Sequence, residues 1–180
     1  MANKTNYSCI EFNGELLNPS FSIYLFEIKK GAKRNFYIGM TGDNHYPSAR
    51  SILHRLSGHI DLGKRSTQSQ FLLAVKGLFG KIKNEYLTLK EMKSLDIKLH
   101  HSSIPGFERW DGDMKIIDKE APRYKEYEKK QKRVRNLENK MIKDFSGNHL
   151  LNKTIGKGED QLTKEELIIY NNIEKIIKQK

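Results

Sequence analysis

One cysteine among 180 residues, an excess of bases over acids and the want of any long apolar run exclude several classes of protein. A lone Cys9 closes no internal disulfide, so a disulfide-stapled scaffold is ruled out. The longest apolar runs, such as Phe71 to Val75, are far shorter than the ~20 residues that a membrane-spanning helix needs. Met1 to Ser8 is polar and lacks the apolar centre of a secretory leader, which together with the single thiol sets the expectation of a reducing, cytoplasmic location. Neither an internal repeat nor a low-complexity tract is present. Acidic side chains number 22 against 33 Lys and Arg, giving a formal charge of +11 and a pI near 9.6. Such a balance suits a protein that meets a polyanion: nucleic acid first, an anionic membrane surface as the competing reading.

The length fits one domain, 1–180. Asn13-Gly14 between the short runs Cys9 to Phe12 and Glu15 to Leu17 predicts an N-terminal hairpin over 8–18. Phe21 to Ile28 and Asn35 to Thr41 are rich in aromatic and β-branched residues around a basic, glycine-containing turn, and predict a second antiparallel pair. Pro47-Ser48 suits a helix start, and Ile52, Leu56 and Ile60 then recur at helical spacing. A second helix is expected over Gln70 to Tyr86, a third strand over Ile97 to Ser102, and a long loop over Ser103 to Ala121. A basic helix from about Arg123 to Phe145, stopped by Gly147, carries Tyr127, Val134, Met141 and Phe145 on one stripe. Thr163 with Glu166 forms a capping box that opens a final helix within 160–180. The expected fold class is α+β.

Four groups stand out for chemistry. Tyr24 in Ser22-Ile23-Tyr24 and Tyr37 in Tyr37-Ile38-Gly39 put polar phenols inside apolar strands. At about 100° per residue, the helix after Pro47 sets Arg55 and His59 together beside its apolar face, while Arg50 and His54, with the same spacing, fall on the side away from the core. Arg50 and His54 therefore stand as the rival pair. Glu138 lies on the stripe of the basic helix, and a carboxylate there needs a cation or a metal, because burying it alone is costly. One carboxylate with waters and substrate oxygens suits Mg²⁺.

In this order the residues resemble the GIY-YIG nuclease family over Phe21 to about Asn152. Ser22-Ile23-Tyr24 stands where the family has Gly-Ile-Tyr, and Tyr37-Ile38-Gly39 reproduces its second string. Arg55, Leu56 and His59 match the Arg-Leu-x-x-His pattern seen among the restriction enzymes of the family. Glu138 matches its metal-binding glutamate, and Asn152 its late asparagine. Ser22 for glycine is one departure; the extended segment Met40 to Ala49 is another.

The resemblance implies a sheet of three antiparallel strands flanked by helices and a nuclease that hydrolyses phosphodiester bonds in double-stranded DNA with one Mg²⁺ (or Mn²⁺) per site. Tyr24 is then the expected base, provided that positive charge from Arg55 or the metal lowers its pKa from near 10. Tyr37 places the water or phosphate, and the two tyrosines could exchange roles. Arg55 stabilises transition-state charge, His59 relays a proton or binds phosphate, Glu138 holds the metal, and Asn152 supports the pocket. Lys64, Arg65, Lys129, Lys132, Arg133 and Arg135 flank this pocket as phosphate contacts. A compact restriction enzyme of type II fits best. A repair or phage nuclease and a non-catalytic DNA-binding module on the same scaffold are the alternatives. The apolar face of the last helix is left two uses, a homodimer interface or the chain's own core.

Overall fold

Phe21 to Ile28 are eight consecutive buried residues, and a strand buried on both faces must lie at the centre of a sheet covered on both sides. In the computed structural model, which describes residues 11–42, 50–60, 70–82, 85–104, 119–153, 156, 158 and 161–179, this run belongs to β1 (Phe21–Lys30). β2 (Lys33–Met40) and β3 (Asp96–Ile104) pair with it antiparallel on either edge, in the order β2-β1-β3. The fold is α+β, a three-stranded antiparallel sheet flanked by helices.

Side chains alternate across a strand, so β1 feeds two cores. Phe21, Ile23 and Leu25, with Phe36 and Ile38 of β2, pack against α4 (Pro122–Asp144) and α5 (Lys164–Lys178). Tyr24, Phe26 and Ile28, with Tyr37, pack against α1 (Ile52–Ile60) and α2 (Gln70–Lys76). Each large apolar side chain so buried contributes about 1.5–3 kcal/mol relative to exposure. A short α3 (Leu89–Met92), opened by a Thr88–Glu91 capping box, precedes β3. Among the described residues no helix is long and apolar enough to cross a membrane.

Several expectations need correction. Residues 11–18 do not form a hairpin arm. Gly14–Leu17 is a 3₁₀ turn, because the Asn13 side chain accepts from the Glu15 N–H and caps a helical turn; Cys9 lies outside the described residues. The helix expected over Gln70 to Tyr86 ends at Lys76, tightens to a 3₁₀ turn over Gly77–Phe79, and stops at Gly80. Gly80 adopts φ 67, where a side chain would be strained, and Ile82 and Tyr86 beyond it are exposed. α1 is capped by Ser51, whose Oγ accepts from the His54 N–H at 3.2 Å; Pro47-Ser48 falls outside the described residues. Its inward face is also rotated from the expected one: Ile52 and His59 are buried, whereas Ile60 is 47% exposed.

The basic helix is observed at Pro122–Asp144, one residue from its expected ends, with Tyr127, Val134, Met141 and Phe145 buried as expected and Leu137 buried beside them. β3 extends two residues into the stretch assigned to the loop, while 105–118 lie outside the described residues. α5 opens with the Thr163–Glu166 capping box. Of its two expected uses, the chain's own core takes the apolar face: Ile169, Ile173 and Ile177 lie in one cluster with Leu137 and Met141. Arg133 secures this packing with two hydrogen bonds to Glu166, 3.1 and 3.0 Å.

Candidate active site

The antiparallel register of β1 and β2 sets Tyr24 opposite Gly39 and Phe26 opposite Tyr37, so both phenols lie on the face covered by α1 and α2. The glycine is required by contact. A Cβ at position 39 would lie 2.3 Å from Cζ and Oη of Tyr24, well inside van der Waals distance, so any side chain there displaces the ring. Ser22, where a glycine was expected, is accommodated: its N–H donates to Thr41 Oγ1 at 2.7 Å and its hydroxyl lies 3.1 Å from Ser20 Oγ.

α1 delivers His59 into a box of rings. Tyr24, Phe26, Tyr37 and Phe71 surround the imidazole with centroids 5.6, 5.7, 6.2 and 5.6 Å away. Such a box penalises an imidazolium, and burial, helped by the Arg55 charge, depresses the His59 pKa to about 3. A neutral imidazole results. Its Nε2 lies 2.6 Å from the Tyr24 hydroxyl, while Arg55 Nε donates to the same phenol oxygen at 3.4 Å. With Arg55 donating into the oxygen, the one phenolic proton is directed at His59.

Tyr24 itself departs from expectation. Its pKa is not lowered: burial pushes it up to about 12, and Arg55 offsets only part of that rise. Burial likewise raises Tyr37, with Tyr24 and Glu138 adding to the effect. For Arg55 burial disfavours the charge, but Tyr24, Tyr37 and Glu138 together outweigh it and raise the pKa. The rival pair is apart from this cluster: Arg50 Nη1 lies 3.4 Å from His54 Nε2, and His54 is exposed.

Glu138 comes from α4, across the edge of the sheet. It is half-buried at the border of the apolar stripe rather than in its middle. Burial raises its pKa to about 7 against the opposing pull of Arg55, Arg135 and the Met40 backbone N–H. Arg55 and Arg135 act on it by charge, the former shared with the Tyr24 phenol. Tyr37 and Glu138 line one cleft of about 220 Å³ with residues of α2 and with Leu151, Asn152 and Lys153. Among the described residues no cluster of three or more His, Cys, Asp or Glu stands ready to cage an ion. A lone carboxylate on an open cleft nonetheless fits Mg²⁺, which keeps several waters and takes substrate phosphate oxygens as further ligands.

Asn152 has a defined task. Its Oδ1 accepts from the Ile38 N–H and its Nδ2 donates to the Ile38 carbonyl, both at 2.8 Å. Leu151 N–H donates to Phe36 O and Phe36 N–H to His149 O, so 149–152 satisfies the outer edge of β2 on both sides of Tyr37. Asn152 thus holds the strand that carries Tyr37, without entering the Tyr24–His59 contact. Of the expected phosphate contacts, Lys129, Lys132 and Arg135 are exposed on α4, Arg133 is engaged by Glu166, and Lys64 and Arg65 lie outside the described residues. Phe26 and Phe71 carry no polar group to mark them as part of the site; for Phe26 the signal is the period-two alternation that puts it on the Tyr24 face. Comparison with known proteins finds no matching family model, no matching curated protein and no matching solved structure.

Proposed function

We propose that the chain is a metal-dependent DNA endonuclease of the GIY-YIG type, working in a reducing cytoplasm. The observation that carries this reading is the convergence of Tyr24, Tyr37, Arg55, His59 and Glu138, from two strands and two helices, on the β2 side of one small sheet.

Hydrolysis requires a proton to leave the attacking water. A free tyrosinate is disfavoured here, since the Tyr24 pKa is pushed up to about 12. The 2.6 Å contact offers another route: the phenol oxygen takes the water proton while its own proton passes to His59 Nε2, and no tyrosinate accumulates. The ring box that holds His59 near 3 opposes the imidazolium, which therefore forms only as negative charge grows on the phosphate. Arg55, held charged, stabilises the same developing charge, an effect typically worth a few kcal/mol. Tyr37 borders the cleft and orients water or phosphate by its hydroxyl. Glu138 would hold the divalent ion, which when bound supplies Lewis-acid stabilisation of the phosphate and the leaving oxygen.

Plasmid DNA incubated with the wild type and with Glu138→Ala, with and without Mg²⁺, tests the proposal. Discrete fragments from the wild type with Mg²⁺ alone are expected and mark a type II restriction enzyme. Nicking or smearing assigns a less specific nuclease of the repair or phage kind. Retarded DNA that is never cut, in Mg²⁺ or Mn²⁺, overturns the catalytic reading and leaves a binding module.

A further inference from the structure

A second cleft, of about 1190 Å³, opens at the turn end of the sheet, and its lining is basic: Lys30, Lys33, Arg34, His149 and Lys178. Among the described residues no acidic side chain lines it. Two of these bases serve the fold. Lys30 donates to Leu78 O and lies 4.0 Å over the Phe79 ring, and Arg34 bonds Glu27 and the carbonyls of Ile176 and Gln179 at the end of α5. Lys33 and Lys178 remain exposed at the mouth, the latter beside Glu174 at 2.6 Å. On the floor, Asn35 is buried and its Nδ2 has no hydrogen-bond partner.

This cleft continues the catalytic one. The walls of both come from the same three stretches in register: Tyr37 then Lys33 to Phe36 on β2, Ala74 then Gly77 and Leu78 after α2, and Asn152 then Asn148 and His149 along the β2 edge. The bonds of Phe36 to His149 and Leu151 join two of these stretches. A strand rises about 3.3 Å per residue, so Lys33 lies roughly 13 Å from Tyr37, a span of about two nucleotides of one DNA strand, whose phosphates wind around the helix axis and so stand further apart than their ~3.4 Å rise.

The geometry points to the basic cleft as a docking site for the phosphodiester backbone of the strand being cut, about two nucleotides to one side of the scissile phosphate, with Lys33 and Lys178 as its phosphate contacts. It rests on the nuclease reading, which supplies the polyanion and fixes its place at Tyr37. An extended polyanion is favoured over a small anion because Lys33 and Lys178 stand exposed at an open mouth, not convergent on one point.

Binding of a 30-base-pair duplex, followed by fluorescence anisotropy without divalent metal from 50 to 200 mM salt, tests the assignment. Each phosphate contact contributes about 0.9 to the slope of log K against log salt, so Lys33→Ala/Lys178→Ala should lower the slope by about 1.8. Over this fourfold salt range the affinity loss then shrinks about tenfold relative to wild type. Lys90→Ala/Lys93→Ala removes two exposed charges on α3 and at its C-cap and should leave the slope unchanged, with thermal melts showing that both variants fold. Equal slopes in wild type and the Lys33/Lys178 variant, or equal falls in both variants, overturn the docking site while plasmid cleavage by wild type upholds the nuclease. A wild type that neither binds duplex with a salt-dependent slope nor cuts it overturns both.

Discussion

Replacing Glu138 by glutamine should make the protein more stable at pH 8 and inactive. The carboxyl is moved from an ordinary value of 4.5 to about 7, chiefly by burial. A group whose folded pKa is raised lends stability that is complete below the unfolded value and is lost as pH rises through the folded one. For Glu138 the loss therefore runs from about pH 4.5 to pH 7, and at 1.36 kcal/mol per tenfold change in the protonation equilibrium it amounts to about 3 kcal/mol. Glutamine keeps the shape, still accepts from the Met40 N–H, and carries no charge to desolvate. Urea denaturation in EDTA should thus give matching midpoints for the two proteins near pH 4.5 and a more stable variant by pH 8. Mg²⁺ at pH 8 should raise the midpoint of the wild type and not of Glu138→Gln, because only the ionised carboxylate holds the ion. A structural ion pair predicts the reverse, since removing one partner of a buried pair costs about 3–5 kcal/mol. A variant less stable than wild type at pH 8 would refute the reasoning.

Gly39→Ala should destabilise the fold by about 1–3 kcal/mol, as overpacked core positions do, and abolish cleavage, because its Cβ meets the Tyr24 ring at 2.3 Å; urea midpoints and plasmid cutting measure the two effects. Asn152→Ala leaves the Ile38 N–H and C=O unpaired at the strand edge and should cost about 1–3 kcal/mol, with hydrogen exchange at Ile38 faster than in wild type. Arg55→Ala should slow single-turnover cleavage by about 10²–10³-fold, the usual cost of one oxyanion donor, whereas Arg50→Ala and His54→Ala should cut at close to the wild-type rate. Loss of cutting in the latter two alone would move the chemistry to the exposed side of α1.

The sheet, the basic helix and the capping box of α5 were legible because each is written in local terms: aromatic and β-branched runs, a 3.6-residue stripe, a Thr and Glu three apart. What failed was local signal with two physical meanings. Asn13-Gly14 suits a hairpin turn, yet an asparagine side chain equally caps a helical turn, and here it accepts from Glu15. The apolar positions up to Ile82 keep helical period past Lys76, but Gly80 in the left-handed region ends the run. On α1, hydrophobicity pointed Ile60 inward, whereas the space beneath is walled by four rings and takes His59. A histidine flanked by aromatics across three elements has no period to betray it.

The residues of the candidate site were nameable from the chain, but their ionisation was not, and ionisation decides whether the proposed mechanism can run. A tyrosine that acts as tyrosinate requires a lowered pKa, and Arg55 is indeed beside the phenol. Placing that phenol on the central strand, 1% exposed, makes desolvation the larger effect, so the same burial that holds Tyr24 still also keeps its proton on. The one arrangement that reconciles a rigid, protonated tyrosine with proton removal from water is an acceptor already in line behind it. His59 stands in that place as a neutral imidazole, and because the same burial makes it a weak base, the proton reaches it only as charge grows on the phosphate. Burial thus withholds the tyrosinate and supplies the imidazole that makes it unnecessary, leaving the carboxylate of Glu138 as the group whose charge, formed near pH 7, sets where the site becomes ready for a cation.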